Sequence, residues 1–222
     1  HNIEAGTGSG GIRSNKYSIS VNEGLKSAGY EIIDELEESY TAFIEKTKKE
    51  NLVPDYFNNP KMRKDNGITD DQAPPHFKKR LVAFSKERAL SKEEIKKYES
   101  ESDIAVITLG RSGGENYENG YLPITQIELD LVKNISDVFH TAKKNVVVIL
   151  NVGGVWETAS WRKYADAILL AWQPGQEGGY VVADILKGNI NPSGKLPDSF
   201  PIKYEDVPSS SSFPGEPLEE PV

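Results

Sequence analysis

The run Arg111-Ser112-Gly113-Gly114-Glu115-Asn116-Tyr117-Glu118 places a carboxyl group on a glycine-rich turn directly after the apolar stretch Ile104 to Leu109. Gly110, Gly113 and Gly114 let the backbone turn sharply and approach a ligand closely, so a carboxyl at the tip can reach a substrate. The chemistry open to such a group is proton transfer. Cleavage of a glycosidic bond is one reaction that uses it: one carboxylic acid protonates the leaving oxygen while a second carboxylate serves as nucleophile or base. On spacing alone, a solvated glutamate in a surface turn is the commoner reading of such a loop.

Other chemistry-bearing residues point elsewhere. Gly6-Thr7-Gly8-Ser9-Gly10-Gly11 resembles a phosphate cradle superficially, but it lacks both a preceding strand and the Lys-Ser/Thr ending that reaches phosphate and magnesium. A nucleotide site is not expected there. Ser9, Ser112 and Ser193 have glycine neighbours without a G-x-S-x-G frame, which disfavours serine hydrolase chemistry. His1, His76 and His140 have no spacing that gathers metal ligands, so neither metal nor cofactor is expected. His140 closes a helical segment, where an imidazolium suits the negative end. Glu177 falls at a helix start and is expected to bond backbone amides there. Trp156, Trp161 and Trp172 could stack on sugar faces and are left unassigned, although Trp172 ends an apolar run and reads as core.

The elements that must position this loop follow from periodicity. Ser18 to Lys26 reads as a short helix ending at Gly29, and Asp34 to Glu50 as a charged surface helix with Leu36, Tyr40, Phe43 and Ile44 on one stripe. Residues 51–79 read as an irregular excursion, followed by a helix near Ser91 to Glu101. Ile104 to Leu109, Val146 to Leu150 and Ala167 to Trp172 are short apolar runs without alternation, as expected of parallel strands buried on both faces. Thr125 to His140 opens with Thr125 and Glu128 at capping-box spacing and carries Ile127, Leu131, Ile135 and Val138 on one face. Gly178 to Lys187 is expected to turn Val181, Val182, Ile185 and Leu186 inward and to stop at Gly188. Strands alternating with helices imply an α/β fold, a mostly parallel sheet flanked by helices in a flavodoxin-like α/β sandwich. The ligand crevice of such a sheet lies beyond the carboxyl ends of its strands. The three runs lead there into Gly110 to Glu115, into Asn151, Gly153 and Gly154, and into Gln173 to Gln176.

Composition narrows the partners. The chain has 222 residues, enough for a single sizeable core. Its 34 acidic and 26 basic residues, for a formal charge of −8, offer no footprint for nucleic acid or an anionic membrane. The absence of cysteine excludes disulfides and thiolate chemistry while leaving the compartment open, with the cytoplasm slightly favoured over secretion. No apolar run approaches the roughly 18 to 20 residues that span a bilayer. Residues 1–208 are expected to form one domain, with 209–222 a linker or tail towards a neighbour.

Several longer motifs carry a resemblance. RSGGENYE, LPITQIELDLV, VVVILNVGG, AILLAWQPGQEGG and VVADILKGNINPSGKLPDSFP together resemble the α/β sandwich domain of glycoside hydrolase family 3, the β-glucosidase and β-xylosidase group. The resemblance covers Ser102 to Pro208 and extends to Gly6 to Tyr30. It implies a retaining exo-acting β-glycosidase whose acid/base glutamate lies in a loop of the form Arg, any residue, Ser-Gly-Glu-Gly, any residue, Asp. Aligned without a gap, Glu115 falls on the acid/base, with Glu118 as the fallback. Gly113 replaces the serine, Asn116 the second glycine and Glu118 the aspartate. Arg111, Ser112, Gly113, Gly114, Asn116 and Tyr117 would contact substrate, a β-glycoside or oligosaccharide. The nucleophile in this family is an aspartate on a (β/α)8 barrel that nothing in this sequence resembles. The resemblance therefore implies half of a site and a barrel partner. The departures in the acid loop equally admit a non-catalytic sugar-binding or interaction module of the same fold. A flavodoxin-like nucleotide binder ranks behind both for want of a phosphate loop.

Overall fold

A computed structural model describes residues 17–50, 52–53, 80–81, 87–111 and 123–212. In chain order these form α1 (Val21–Ser27), α2 (Asp34–Glu50), β1 (Leu52–Val53), β2 (Arg80–Leu81), α3 (Lys92–Ser100), β3 (Ile104–Arg111), α4 (Gln126–Thr141), β4 (Asn145–Val152), β5 (Ala167–Leu170) and α5 (Gly178–Lys187). The two-residue strands β1 and β2 pair antiparallel as a minor ribbon. The main sheet is parallel, in the order β3-β4-β5. Its register runs from Ile104 opposite Asn145 to Arg111 opposite Val152, and from Val147 opposite Ala167 to Leu150 opposite Leu170.

Local sequence explains where the helices begin and end. α1, α3 and α4 each open with a full capping box, Ser20 with Glu23, Ser91 with Glu94 and Thr125 with Glu128. Each hydroxyl accepts an amide hydrogen from the first turn and each glutamate reaches back to the cap. α5 stops at Gly188, whose φ of 80° suits a residue without a Cβ.

The sheet separates two apolar layers, which makes the fold an α/β sandwich. Val146, Val148, Leu150 and Val152 of β4 face α3 and α4 together with Ala105, Ile107, Leu109, Leu131, Val132 and Phe139. Ile149 faces the opposite way, onto Val21 and Leu25 of α1 and Val182 and Ala183 of α5. Every residue of β4 after Asn145 is buried, as expected of a central strand of a covered parallel sheet. α2 buries no apolar side chain, and Leu36, Tyr40, Phe43 and Ile44 are all half-buried on its predicted stripe.

Three expectations need correction. β5 was expected to be buried on both faces, yet Ala167 and Ile168 are exposed, because β5 ends the sheet among the described strands. Along α4 the inward stripe is Glu128, Leu131, Val132, Ser136 and Phe139, while Ile127 is exposed. Ile135 and Val138 pack at that stripe's margin. The helix is rotated so that Glu128 turns inward, where an arginine awaits it. In α5 Val181 is exposed and Val182, Ala183, Gly178 and Gly179 are buried, because Gly179 faces the α1 backbone.

Candidate active site

The carboxyl ends of the three strands are joined to one another. Gly153 donates its N–H to the Arg111 carbonyl at 3.0 Å, and Ala171 donates to the Leu150 carbonyl at 2.9 Å. The buried Asn151 side chain donates from Nδ2 to the Trp172 carbonyl at 2.6 Å. That bond holds Trp172 at a φ of 51°, a left-handed conformation unusual for a bulky residue. The expectation that Trp172 is core fails: β5 stops at Leu170, and the Trp172 ring is part-exposed, set edge-on to Phe200 with centroids 6.3 Å apart.

Arg111 ends β3 at this rim. Its Nη1 and Nη2 donate to Oε1 and Oε2 of Glu128 at 2.6 and 2.5 Å, and Nη1 also donates to the Gly110 carbonyl at 2.7 Å. The guanidinium lies 4.6 Å from the ring centroid of Trp156, a stacking that arginine's flat, weakly hydrated group favours. Trp156 is buried and sits beside the equally buried Trp161, whose indole N–H donates to the Glu157 carbonyl at 2.7 Å. Both of these tryptophans are framework.

Glu128 carries two duties, capping α4 through Thr125 and holding Arg111. Burial works to raise its carboxyl, but hydrogen bonds from Arg111 and Thr125 and the arginine's charge outweigh that and keep it below the usual carboxylate range. A second carboxyl, Glu87, feels the charges of the same pair. It accepts the Arg88 N–H at 2.8 Å and the Tyr40 hydroxyl at 3.1 Å. Burial pushes Glu87 upward, Glu128 adds to the rise, and Arg111 opposes it. Burial also raises the Tyr40 phenol, with the charge of Glu87 contributing.

Of the residues expected to form the site, only Arg111 falls within the described part of the chain. Ser112, Gly113, Gly114, Glu115, Asn116, Tyr117 and Glu118 lie outside it, as do His1, His76 and the Gly6 to Gly11 loop. Glu177 departs from expectation. It occupies the N-cap position of α5 without a side-chain capping bond, and its carboxylate accepts the Tyr17 hydroxyl instead. His140 closes α4 as expected, but its ring bonds two side chains: Nδ1 lies 3.0 Å from Ser136 Oγ and Nε2 2.9 Å from Asp166 Oδ2. This Ser-His-Asp row sits at the amino end of the sheet, where Asp166 also accepts the Val146 N–H, and Ser136 is buried. It is a clasp away from the rim. Among the described residues no three His, Asp or Glu side chains gather as metal ligands, and no helix is long and apolar enough to cross a membrane.

Sequence reasoning missed Glu87, Trp156 as the stacking partner of Arg111, and the second duty of Glu128. Only Glu128 left a trace, since a capping-box glutamate beside an inward apolar stripe is placed to turn inward.

A parallel sheet covered by helices on both faces, with a largely buried arginine–carboxylate pair at its carboxyl ends, defines an α/β sandwich domain. The family model of the glycosyl hydrolase family 3 C-terminal domain matches residues 1–220, and the chain belongs to that family. β-Glucosidase A of Butyrivibrio fibrisolvens is 41% identical over 108 residues, 47% of this chain and 12% of that protein. An exo-α-(1->6)-L-arabinopyranosidase of Bifidobacterium breve is 35% identical over 118 residues, 52% of this chain and 15% of that protein. The structure of β-glucosidase 3B from Thermotoga neapolitana in complex with glucose matches 97% of this chain with a TM-score of 0.77 and 40% identity, over 27% of its own length. A β-glucosidase from Paenibacillus barengoltzii matches 95% with a TM-score of 0.70 and 26% identity. The chain thus spans only a small part of the proteins it matches.

Proposed function

We propose that this chain is the sandwich domain of a retaining exo-acting β-glycosidase, in which Glu115 is the general acid/base and Glu118 the fallback. Ser112, Gly113, Gly114, Asn116 and Tyr117 would shape the loop against the sugar. The observation that carries this reading is connectivity at the rim. Glu115 follows within a few residues of Arg111, where β3 ends beside the ends of β4 and β5 in a chain of this family, and strand ends of this kind are where open α/β sheets bind ligands.

Glu115 would first donate its proton to the leaving oxygen and then, as carboxylate, take one from the water that completes hydrolysis. Retention requires a partner carboxylate about 5 to 5.5 Å away. A (β/α)8 barrel domain of a longer protein would supply it, so this chain alone is expected to hydrolyse nothing measurable. The substrate class is a terminal β-linked sugar, glucose foremost. One relative is named a β-glucosidase and another an exo-α-(1->6)-L-arabinopyranosidase, which supports a terminal sugar as the substrate class and leaves its identity to the assay.

The test is Glu115→Gln in the full-length enzyme. Turnover of substrates with poor leaving groups should fall by roughly 10²- to 10⁴-fold, the usual worth of general acid catalysis. Activated aryl glycosides should suffer far less, and azide should restore part of the loss. Uniform activity across leaving groups would refute the assignment and favour a non-catalytic module.

A further inference from the structure

Arg111 is the last residue of β3 and Thr125 the cap of α4, so these two points flank the stretch of sequence that contains Glu115. One carboxylate ties those points together. Glu128 accepts both forks of Arg111 at 2.6 and 2.5 Å, and also the N–H and hydroxyl of Thr125 at 2.9 and 2.6 Å. The side chains of Arg111 and Glu128 are only 20% and 6% exposed, and Trp156 closes one face of the guanidinium. We propose that Arg111 and Glu128 are a positioning pair, tying the end of β3 to the start of α4 on either side of the segment that carries Glu115 and cancelling each other's charge there, and that Arg111 is not a contact to the sugar. This rests on the reading of Glu115 as acid/base.

Three observations carry the proposal. Arg111 already spends three N–H bonds on Glu128 and Gly110, of the five that a guanidinium has, which leaves little to offer a ligand. A buried ion pair is also a poor stabiliser compared with apolar side chains of the same volume, and its best-attested use is to fix geometry. Finally, the pair joins the two ends of one loop, where geometry matters. A planar fork on a carboxylate sets both distance and orientation, which a lysine cannot do. Among the described residues, Glu87 also feels the charges of the pair, with Tyr40 of α2 and Arg88 around it. Arg88 is itself paired with Glu94 of α3 at 2.7 Å.

The proposal makes an electrostatic signature that a merely structural role would lack. Glu115 is four residues from Arg111, within about 14 Å by chain reach. Glu128→Gln leaves the Arg111 charge uncompensated and should move the basic limb of the kcat/KM pH profile downward. Arg111→Gln leaves Glu128 uncompensated and should move it upward. At that full reach and an effective dielectric of about 40, each displacement is about 0.4 pH unit, and it is larger at any shorter separation.

The experiment is carried out in the full-length enzyme with E128Q, R111Q, R111K and the R111Q/E128Q double variant. Both neutralising single variants should lose about 10²-fold in kcat on poor leaving groups, the scale of an ångström's misplacement. The double variant should lose no more than either single and should return the limb to its wild-type position, because the two residues act as one unit. R111K should restore the limb but little of kcat. In case these variants unfold, R111M/E128L keeps an apolar filling and should fold while losing kcat. Limbs that stay put or move the same way, additive losses, full activity of R111M/E128L, or a rise in KM from R111Q alone with E128Q silent would each overturn the proposal. Loss of activity in E115Q with wild-type behaviour of the pair variants sinks this proposal only. An active E115Q on poor leaving groups sinks the reading beneath it.

Discussion

Replacing Gly24 by alanine would place a methyl carbon 2.0 Å from the Gly179 carbonyl oxygen and 2.2 Å from its carbon. Ordinary contact at such a carbon begins near 3.4 Å, and the obstruction is backbone, which cannot rotate aside. α1 and α5 must therefore separate by roughly an ångström or more. The separation would strain the bonds that stitch the α1 entry to the α5 entry, Ile19 N–H to the Gln176 carbonyl at 2.8 Å and Gly179 N–H to the Ile19 carbonyl at 3.2 Å. It would also loosen Val21, Leu25, Val182 and Ala183 over Ile149. Overpacking of a tight contact costs about 1 to 3 kcal/mol, and the upper figure applies where both sides are main chain. Alanine's better helix propensity returns about 1 kcal/mol. The net expectation is a loss of about 2 kcal/mol, or about 4 to 8 °C in Tm for a chain of this size. Thermal melts followed by circular dichroism, with Gly194→Ala as a control in open space, would measure it. A Gly24→Ala protein that melts with or above the wild type would refute the close crossing on which this side of the sandwich is built.

Two further perturbations test the electrostatics. Glu87 is a carboxyl whose folded value lies above its unfolded one because of burial, so the folded state holds its proton longer. Stability is then lost as pH rises from about the unfolded value through the folded one. Glu87→Gln keeps an oxygen for the Arg88 and Tyr40 bonds. Its stability should match wild type near pH 4 and exceed it at pH 7, by about 1.4 kcal/mol for each unit separating the two values, and its Tm should rise accordingly; equal melting at both pH values would contradict the burial. Asp166 is the opposite case, held low first by the Val146 N–H and then by His140. Its contribution is present above the ordinary aspartate value and fades as pH falls through the depressed one. Asp166→Ala should cost about 1 to 2 kcal/mol at pH 7 by orphaning the buried Val146 amide. Urea unfolding should show the gap closing at low pH, and a gap that persists there would assign it to packing instead.

The sequence by itself determined the elements and their layering, because the signals for these are local. The capping-box spacing at Thr125, glycines at Gly29 and Gly188, and apolar runs at strand length each report a boundary within a few residues, and boundaries observed at Val21–Ser27, Asp34–Glu50 and Gly178–Lys187 lie on or near those expected. Long motifs such as AWQPGQEGG and NPSGKLP also sufficed to identify the family. Tertiary structure alone decided which way the amphipathic elements turn and which polar groups meet. Glu128 looks like a cap in the sequence, and only the approach of β3 to α4 brings Arg111 to it and rotates Ile127 outward. Trp172 continues an apolar run, yet the Asn151 bond turns its backbone out of the strand. Glu87 has no local signature at all, since its surroundings are built from α2, α3, β3 and α4. Helix and strand boundaries follow from forces between near neighbours along the chain. Burial, ion pairing and close helix crossing depend on distances between residues far apart in sequence, and those are set only when the layers close.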